Sequence, residues 1–297
     1  MRWTAVVNPS AGRGRTRRML PTLTSELTGT GADVDVRVAA DVDETASIAR
    51  EAFAQDRGVL VCGGDGTVAL VAGIAAECGG LVGIVPTGAG NDFARTLGIR
   101  RRNLTGAVRT LSDGHEITVD LGRVDGRWFC SVANTGFDAE VNRWANEVRR
   151  LSGTALYLAG VARTLAVYRP RRFRVRVDDG EPRDVDAWLL AVGNGPVYGG
   201  GMQIAPDARL DDGVFDVCVI GRISVPGFVV NFPRVFAGTH TKHPAVSVLR
   251  GATVTIESLD GGIDLYASGE RVGPLPARLE TVPRALRVMV PRDSAIT

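Results

Sequence analysis

The sequence predicts two domains: a three-layer α/β domain over residues 1–121 and a β-sandwich domain over residues 122–297. Three observations carry this reading. Up to Asp120, short apolar runs alternate with segments of helical periodicity, which marks a parallel sheet covered on both faces. Glycine-rich loops follow three of those apolar runs, where a sheet of this kind binds ligands at its carboxyl edge. From about Gly122 onward, apolar residues recur at every second position between turn residues, the mark of half-buried antiparallel strands. A chain of 297 residues with 44% hydrophobic content is long and apolar enough to build two cores.

In chain order, Trp3–Val7 reads as a buried strand that ends in NPSAGRGRT, a turn-rich loop ahead of a helix near Thr16–Leu27. Taken alone, this loop is an ordinary strand-to-helix connection, because its glycines do not complete the GxGxxG spacing. Val34–Val38 is the next strand and Glu44–Ala54 the next helix. The organising stretch follows: Val59–Cys62, the turn Gly63, Gly64, Asp65, Gly66, and a helix opened by Thr67 that carries Val68, Leu70, Val71 and Ile74. Glycines there permit positive φ and a close approach to the backbone, and freed amides at the helix start bind an anion such as phosphate. Asp65 would repel phosphate without a cation between them, so it points to a magnesium ion. Leu81–Val85 is a further strand, followed by PTGAGND and a helix at Phe93–Leu97. Asn91 and Asp92 suit a helix N-cap there. The three loops together, with two carboxylates on one sheet edge, are better explained as a nucleotide site.

In the second half, alternation is clearest at Phe173, Val175, Val177; Val214–Val219; Val246, Val248; Val254, Ile256; and Leu286, Val288, Val290. One helical insert, Ala139–Val167, interrupts it. Its longest apolar window, Ala155–Val167, contains Arg163 and is shorter than a membrane span requires.

Charge narrows the chemistry. A formal net charge of +2 leaves no basic footprint for nucleic acid. Lys242 is the only lysine, which argues against both a Walker loop and a protein-kinase site, since each depends on one. Phosphate would have to be held by backbone amides, magnesium and arginine. Cys62, Cys78, Cys130 and Cys218 show no metal or disulfide spacing and read as small core residues in a reducing compartment. The chain enters a strand without a secretory leader, so the expected location is cytoplasmic. His240 and His243 have HxxH spacing but no evident third ligand, and read as hydrogen-bonded rather than metal-binding histidines.

Six motifs in order give a resemblance: NPSAG at Asn8–Gly12, GGDGT at Gly63–Thr67, GAGNDFARTLG at Gly88–Gly98, NTGFDAEV at Asn134–Val141, APDARLDDGVFDV at Ala205–Val217 and SGERVGPLP at Ser268–Pro276. Across almost its whole length the chain resembles the bacterial soluble diacylglycerol kinases, whose catalytic domain is shared with sphingosine and ceramide kinases. The resemblance implies an NAD-kinase-like α/β nucleotide domain, a β-sandwich domain, and ATP between them. It implies a nucleotide loop at Gly63, Gly64, Asp65, Gly66 and Thr67. Asn8, Pro9, Ser10, Ala11 and Gly12 would lie beside the phosphates, and Gly88, Asn91 and Asp92 would form the third loop. It implies a structural magnesium held by Asp212 and the carbonyls of Arg209 and Val214, and an active-site glutamate at Glu270. On this reading Asp65 and Glu270 are the catalytic residues, ATP gives its γ-phosphate to a primary hydroxyl of a lipid, and Mg2+ is the cofactor.

The chain departs from the family pattern at three places. Ser268 stands where relatives carry the aspartate of DGE, Leu70 where they carry glutamate, and Ala89 where they carry threonine. Glu270 would then serve as base alone. Two other readings stay open: a nucleotide-binding regulatory protein with a degenerate kinase site, and a small-molecule or NAD kinase. The expected partners are a lipid substrate and the inner membrane face, with a homodimer left open. The patch Phe228, Val229, Val230, Phe232, Val235, Phe236 is core or an acyl-chain or membrane face. Arginines at 149, 150, 169, 171 and 172 are solvated charge or headgroup contacts.

Overall fold

The computed structural model describes residues 2–29, 31–100, 103–141, 160, 163–165, 168–294 and 296. Short aliphatic runs become its first strands because β-branched side chains suit a pleated sheet closed on both faces. Strands β1 (Trp3–Val7), β3 (Gly58–Gly63) and β4 (Leu81–Pro86) are buried at every position. β1 runs parallel to β2 (Val34–Val38) and to β3, and β3 runs parallel to β4. The carboxyl ends of β1, β3 and β4 therefore share one edge.

Helices cover this sheet: α1 (Ala11–Gly29), α2 (Val42–Ala54), α3 (Asp65–Cys78), the single turn α4 (Asp92–Thr96) and α5 (Leu104–Asp113). Gly12, Arg13 and Gly14 have φ of 59°, 59° and 76°, so the regular part of α1 starts where Thr16 predicts it. Asp41 caps α2 by accepting from the amide of Glu44 at 2.8 Å, and Glu44 reaches back to the amide of Ala40 at 2.6 Å. Gly79, at φ 71°, ends α3 in the left-handed turn that glycine adopts most readily.

The second lobe is built from β5 (His115–Val124), β6 (Arg127–Phe129), β7 (Val132–Gly136), β8 (Arg171–Val177), β9 (Arg183–Gly193), β10 (Phe215–Gly221), β11 (Val246–Gly251), β12 (Thr253–Ser258), β13 (Asp264–Ala267), β14 (Glu270–Pro274) and β15 (Ala277–Val290). Long β9 pairs with β8 through its first half and with β7 and β10 through its second, so it bends from one layer of the sandwich to the other. The period-2 rule sorts its side chains. Leu190 and Val192 face the core between the layers, while Leu189 and Ala191 face a separate core beneath the helix Val225–Asn231. The alternating runs named from sequence fall in β8, β10, β11, β12 and β15. Much of the expected insert lies outside the described residues, namely 142–159, 161, 162, 166 and 167.

The lobes are interlocked in a way that periodicity did not reveal. The first residues of β15 pair with β12, whereas Arg287 and Val288 run parallel to β4 and most of the strand lies antiparallel to β5. Leu286, Val288 and Val290 thus belong to the core of the first lobe. A boundary between residues 121 and 122 passes through β5. Asp120 fastens this crossing. Buried to 2% exposure, it accepts the amides of Gly213 and Arg284, each at 2.7 Å, and its own amide donates to the Leu210 carbonyl at 2.6 Å. Three of the cysteines, Cys62, Cys130 and Cys218, are buried. Cys78 corrects the core reading: it lies exposed on the last turn of α3, its thiol donating to the Ile74 carbonyl at 3.1 Å.

Candidate active site

The three glycine loops meet at the shared edge. The amides of Thr87 and Gly88 donate to the Gly63 carbonyl at 3.0 and 3.1 Å. A Cβ on Gly88 would sit 2.4 Å from the Cα of Gly64, so the second and third loops touch where only hydrogens fit. The first loop joins at Gly12, where a Cβ would lie 2.4 Å from the Thr87 carbonyl oxygen. Asn8 Nδ2 donates to Thr67 Oγ1 at 3.0 Å, and Asn8 Oδ1 accepts the Ser10 amide at 3.0 Å, which folds Asn8, Pro9 and Ser10 onto the start of α3. Arg15 donates to the carbonyls of Thr87 and Gly88, both at 2.6 Å. Those two carbonyls are turned outward to arginine. A concave rim of this kind, lined by main chain and glycine, accommodates an anion.

Asp65 has a contact that spacing alone did not predict. Its carboxylate accepts the amides of Asn91 at 2.6 Å, Asp92 at 2.7 Å and Phe93 at 3.4 Å, the free donors at the start of α4. Asn91 sits at φ 57°, and its side chain both accepts from the Gly88 amide at 2.8 Å and donates to the Gly88 carbonyl at 2.9 Å. Asp92 is not a side-chain cap. Buried, it accepts the amide of Gly200 at 2.9 Å and pairs with Arg95 at 2.9 Å. Burial and, after it, the nearby Asp65 charge push its carboxyl up to about 6.

Glu270 completes the rim from the second lobe. The β13–β14 hairpin turns through Ser268 and Gly269, at φ 50° and 82°, and brings the carboxylate over the start of α3, where a Cβ on Gly66 would lie 3.4 Å from Glu270 Oε1. Between the lobes opens a cleft of about 840 Å³. It follows one face of α3 through Gly66, Leu70, Gly73 and Glu77, a run of roughly 16 Å at 1.5 Å per residue. Ala89 and Ser268, two of the departures from pattern, line it together with Leu70, the third. Trp128 closes the far end: a Cβ on Gly73 would meet its Cδ1 at 2.5 Å, its Nε1 donates to Glu77 Oε1 at 3.3 Å, and the Arg123 guanidinium lies 5.4 Å from the ring centre. Nothing in the periodicity placed Trp128 here, because it comes from the short strand β6 that links the lobes.

The expected ion loop lies elsewhere, beside Asp120. Asp212 is engaged on both oxygens, by the amide of Val214 at 3.2 Å and by the Arg250 guanidinium, which also donates through Nε to Asp216 at 2.6 Å. Arg209 forms a two-pronged pair with Asp211 at 3.0 Å. Among the described residues, no group of three or more His, Cys, Asp or Glu could hold a metal ion. Carboxylate and carbonyl oxygens suit magnesium chemically. In this arrangement, however, the charge of Asp212 is already balanced by arginine. His240 is buried with Nε2 at 3.1 Å from the Ile204 carbonyl oxygen, and its burial depresses its pKa; His243 Nδ1 accepts the Ala245 amide at 3.1 Å.

A second, smaller cavity of about 50 Å³ lies under the helix Val225–Asn231, walled by Phe137, Leu189, Met202, Ile220, Phe228 and Phe232. Asp138 borders it and accepts from Asn134 Nδ2 at 2.9 Å. The cavity is almost wholly apolar in its lining.

An α/β lobe with three glycine loops on one rim, and a sandwich lobe that supplies a carboxylate above them, fit a kinase of the NAD-kinase-like architecture. The comparisons agree. The Diacylglycerol kinase catalytic domain matches residues 2–124, and the YegS C-terminal NAD kinase beta sandwich-like domain matches residues 131–290. A diacylglycerol kinase of Mycobacterium tuberculosis is 36% identical over 295 residues, covering 97% of this chain and 95% of the relative. A crystal structure of a diacylglycerol kinase from Bacillus anthracis superposes with a TM-score of 0.76 over 99% of this chain and 98% of that one at 19% identity. An NAD kinase from Archaeoglobus fulgidus in complex with ATP has a TM-score of 0.50 at 12% identity, covering 98% and 94% of the two chains. The chain belongs to the diacylglycerol kinase family. It is an ATP-dependent lipid kinase, a phosphotransferase whose acceptor is an alcohol group.

Proposed function

We propose that the acceptor is diacylglycerol and that the rim formed by Asn8–Gly12, Gly63–Thr67 and Gly88–Asp92 holds the triphosphate of ATP. One observation carries this reading: the Glu270 carboxylate stands over Gly66, at the start of α3, where the second glycine loop meets the third. The length of α3 along the cleft matches a nucleotide laid with its phosphates at Gly64 and Gly66 and its base toward Leu70, Ile74 and Trp128.

The residues then divide the work. Backbone amides at the rim bind the phosphates, and the α3 dipole adds positive potential where charge collects. Asp65 fixes the third loop against the second and is the carboxylate assigned to the cation that accompanies the nucleotide. Magnesium, when bound with ATP, neutralises charge on the phosphates. Glu270 orients the lipid hydroxyl and takes its proton as that oxygen attacks the γ-phosphorus. The bond from the γ-phosphorus to the bridging oxygen breaks, leaving ADP and the phosphorylated lipid. Ser268 has no carboxylate to share this task, which leaves it to Glu270.

We further assign the loop of Arg209, Asp212 and Val214 as a place where a structural magnesium would compete with Arg250 for Asp212. Among the described residues no helix is long and apolar enough to cross a membrane. With a lipid acceptor, the enzyme would work as a peripheral protein at the inner membrane face. The deciding experiment incubates the pure protein with γ-labelled ATP and, separately, diacylglycerol, sphingosine, ceramide and phosphoinositide. Label in diacylglycerol is the expected result. Label in another of these lipids, in a water-soluble product, or in none would overturn the assignment.

A further inference from the structure

The segment from Arg222 to Arg250 combines two features. Its outer face is apolar: Val225, Val229, Val230 and Phe236 are 38%, 52%, 75% and 50% exposed, all on the short helix Val225–Asn231 and the 3-10 turn Phe232–Ala237 that follows it. Its charge is of one sign. Between Asp216 and Glu257 there is no acidic residue, while Arg222, Arg234, Lys242 and Arg250 all fall there. Two of these have partners, since Arg222 pairs with Asp186 at 3.2 Å and Arg250 with Asp212 and Asp216. Arg234 and Lys242 are exposed and have no ion-pair partner among the described residues.

The exposed cap is also continuous with the interior. Phe236 meets Phe232 edge-on at 6.0 Å between ring centres, Phe232 stacks on Phe228 at 6.0 Å, and Phe228 packs on Phe137 at 5.1 Å. Phe228, Phe232 and Phe137 wall the small apolar cavity beside Asp138. This row of rings joins the exposed cap to the wall of that cavity.

We propose that this face, centred on Val229, Val230 and Phe236 and flanked by Arg234 and Lys242, is the surface by which the enzyme docks on an anionic lipid bilayer. The proposal rests on the lipid-kinase reading above and supplies what that reading lacks, the part of the molecule that meets the membrane. A lipid surface fits better than a protein partner for two reasons. The groups at the centre of the face, Val229, Val230 and Phe236, are aliphatic and aromatic, and the cations beside them match the headgroup charge of an anionic leaflet.

Sedimentation with phosphatidylcholine vesicles, with and without phosphatidylglycerol, tests this, together with activity on a monomeric short-chain diacylglycerol. The wild type should sediment with the anionic vesicles in a salt-sensitive way. The double variant Val229→Asp, Val230→Asp and the double variant Arg234→Glu, Lys242→Glu should each bind roughly 10-fold more weakly, while turnover of the short-chain substrate stays within a factor of two of wild type. Binding of both variants equal to wild type overturns the proposal, as does a wild type that does not sediment. A wild-type dimer that the valine variant converts to monomers, with vesicle binding unchanged, overturns it in favour of a second copy of the chain. If wild type binds vesicles through this face but phosphorylates no diacylglycerol, the surface stands and the acceptor assignment fails.

Discussion

Asp65 is the residue whose removal should cost most. Its carboxylate is the shared acceptor for the amides of Asn91, Asp92 and Phe93, so Asp65→Ala leaves these donors without their partner and loosens the third loop from the second. Phosphate incorporation should fall at least ~100-fold, the usual loss for a group that positions or neutralises charge at the reacting centre. Retained activity in the labelling assay would remove Asp65 from the catalytic set. Ser268 gives a prediction of opposite sense. It occupies a left-handed conformation, which aspartate tolerates as well as serine does, so Ser268→Asp should fold normally and leave turnover equal or higher. A large loss of kcat would contradict a Glu270 that works alone. Asp92 sets a pH dependence. Its carboxyl is raised from the ordinary value to about 6, chiefly by burial, so the folded protein holds this proton more tightly than the unfolded chain does. Stability from this group is fully present below about pH 4 and is lost as pH rises through about 6. Urea midpoints measured across that window should show the slope in wild type and a weaker one in Asp92→Asn.

At the scale of elements, the crossing of the lobes depends on Asp120. Both its oxygens are spent on main-chain amides, one in the loop before β10 and one in the bulge of β15. Asp120→Ala would strand both donors, a cost of about 2–4 kcal/mol if each unmet group costs 1–3 kcal/mol and the site relaxes in part. Denaturant unfolding should show that loss, and a change below about 0.5 kcal/mol would mean the lobes are held by other contacts. Elements also mark what the sequence could and could not show. The strands β1, β3 and β4 were readable because each is a short aliphatic run closed by a glycine turn, and β8 and β12 because Phe173, Val175, Val254 and Ile256 alternate cleanly. β15 was not readable in full. Its two halves serve different lobes, and the alternation at Leu286, Val288 and Val290 says which residues are buried but not which core they enter. Trp128 was hidden for a related reason, since its place in the cleft follows from Gly73 leaving room on α3, a contact between residues far apart in the chain.

For the molecule as a whole, glycine spacing located the rim, and strand order explains why it works: three parallel strands that neighbour one another must deliver their loops to one edge. The arrangement of Glu270 came from the ordered motifs and not from periodicity, because the β13–β14 hairpin carries too few residues to announce its partner lobe. Arg250 is where the structure adds a condition to the sequence reading. With its guanidinium on Asp212, the loop beside Asp120 has its negative charge met without an ion. Arg250→Gln should therefore make the thermal midpoint more responsive to added magnesium than it is in wild type, and an unchanged response would show that arginine and ion do not compete.

The central claim is that the three loops grip a triphosphate together, and Gly64 is the position that tests it. A Cβ there would lie 3.2 Å from the Cα of Gly88, and valine adds two methyl groups beyond it, so Gly64→Val should push the second and third loops apart. Titration calorimetry of ATP, with and without magnesium, should show metal-dependent binding of one nucleotide to wild type and none to Gly64→Val. Equal binding by the two proteins, or no metal-dependent heat with wild type, would contradict the account.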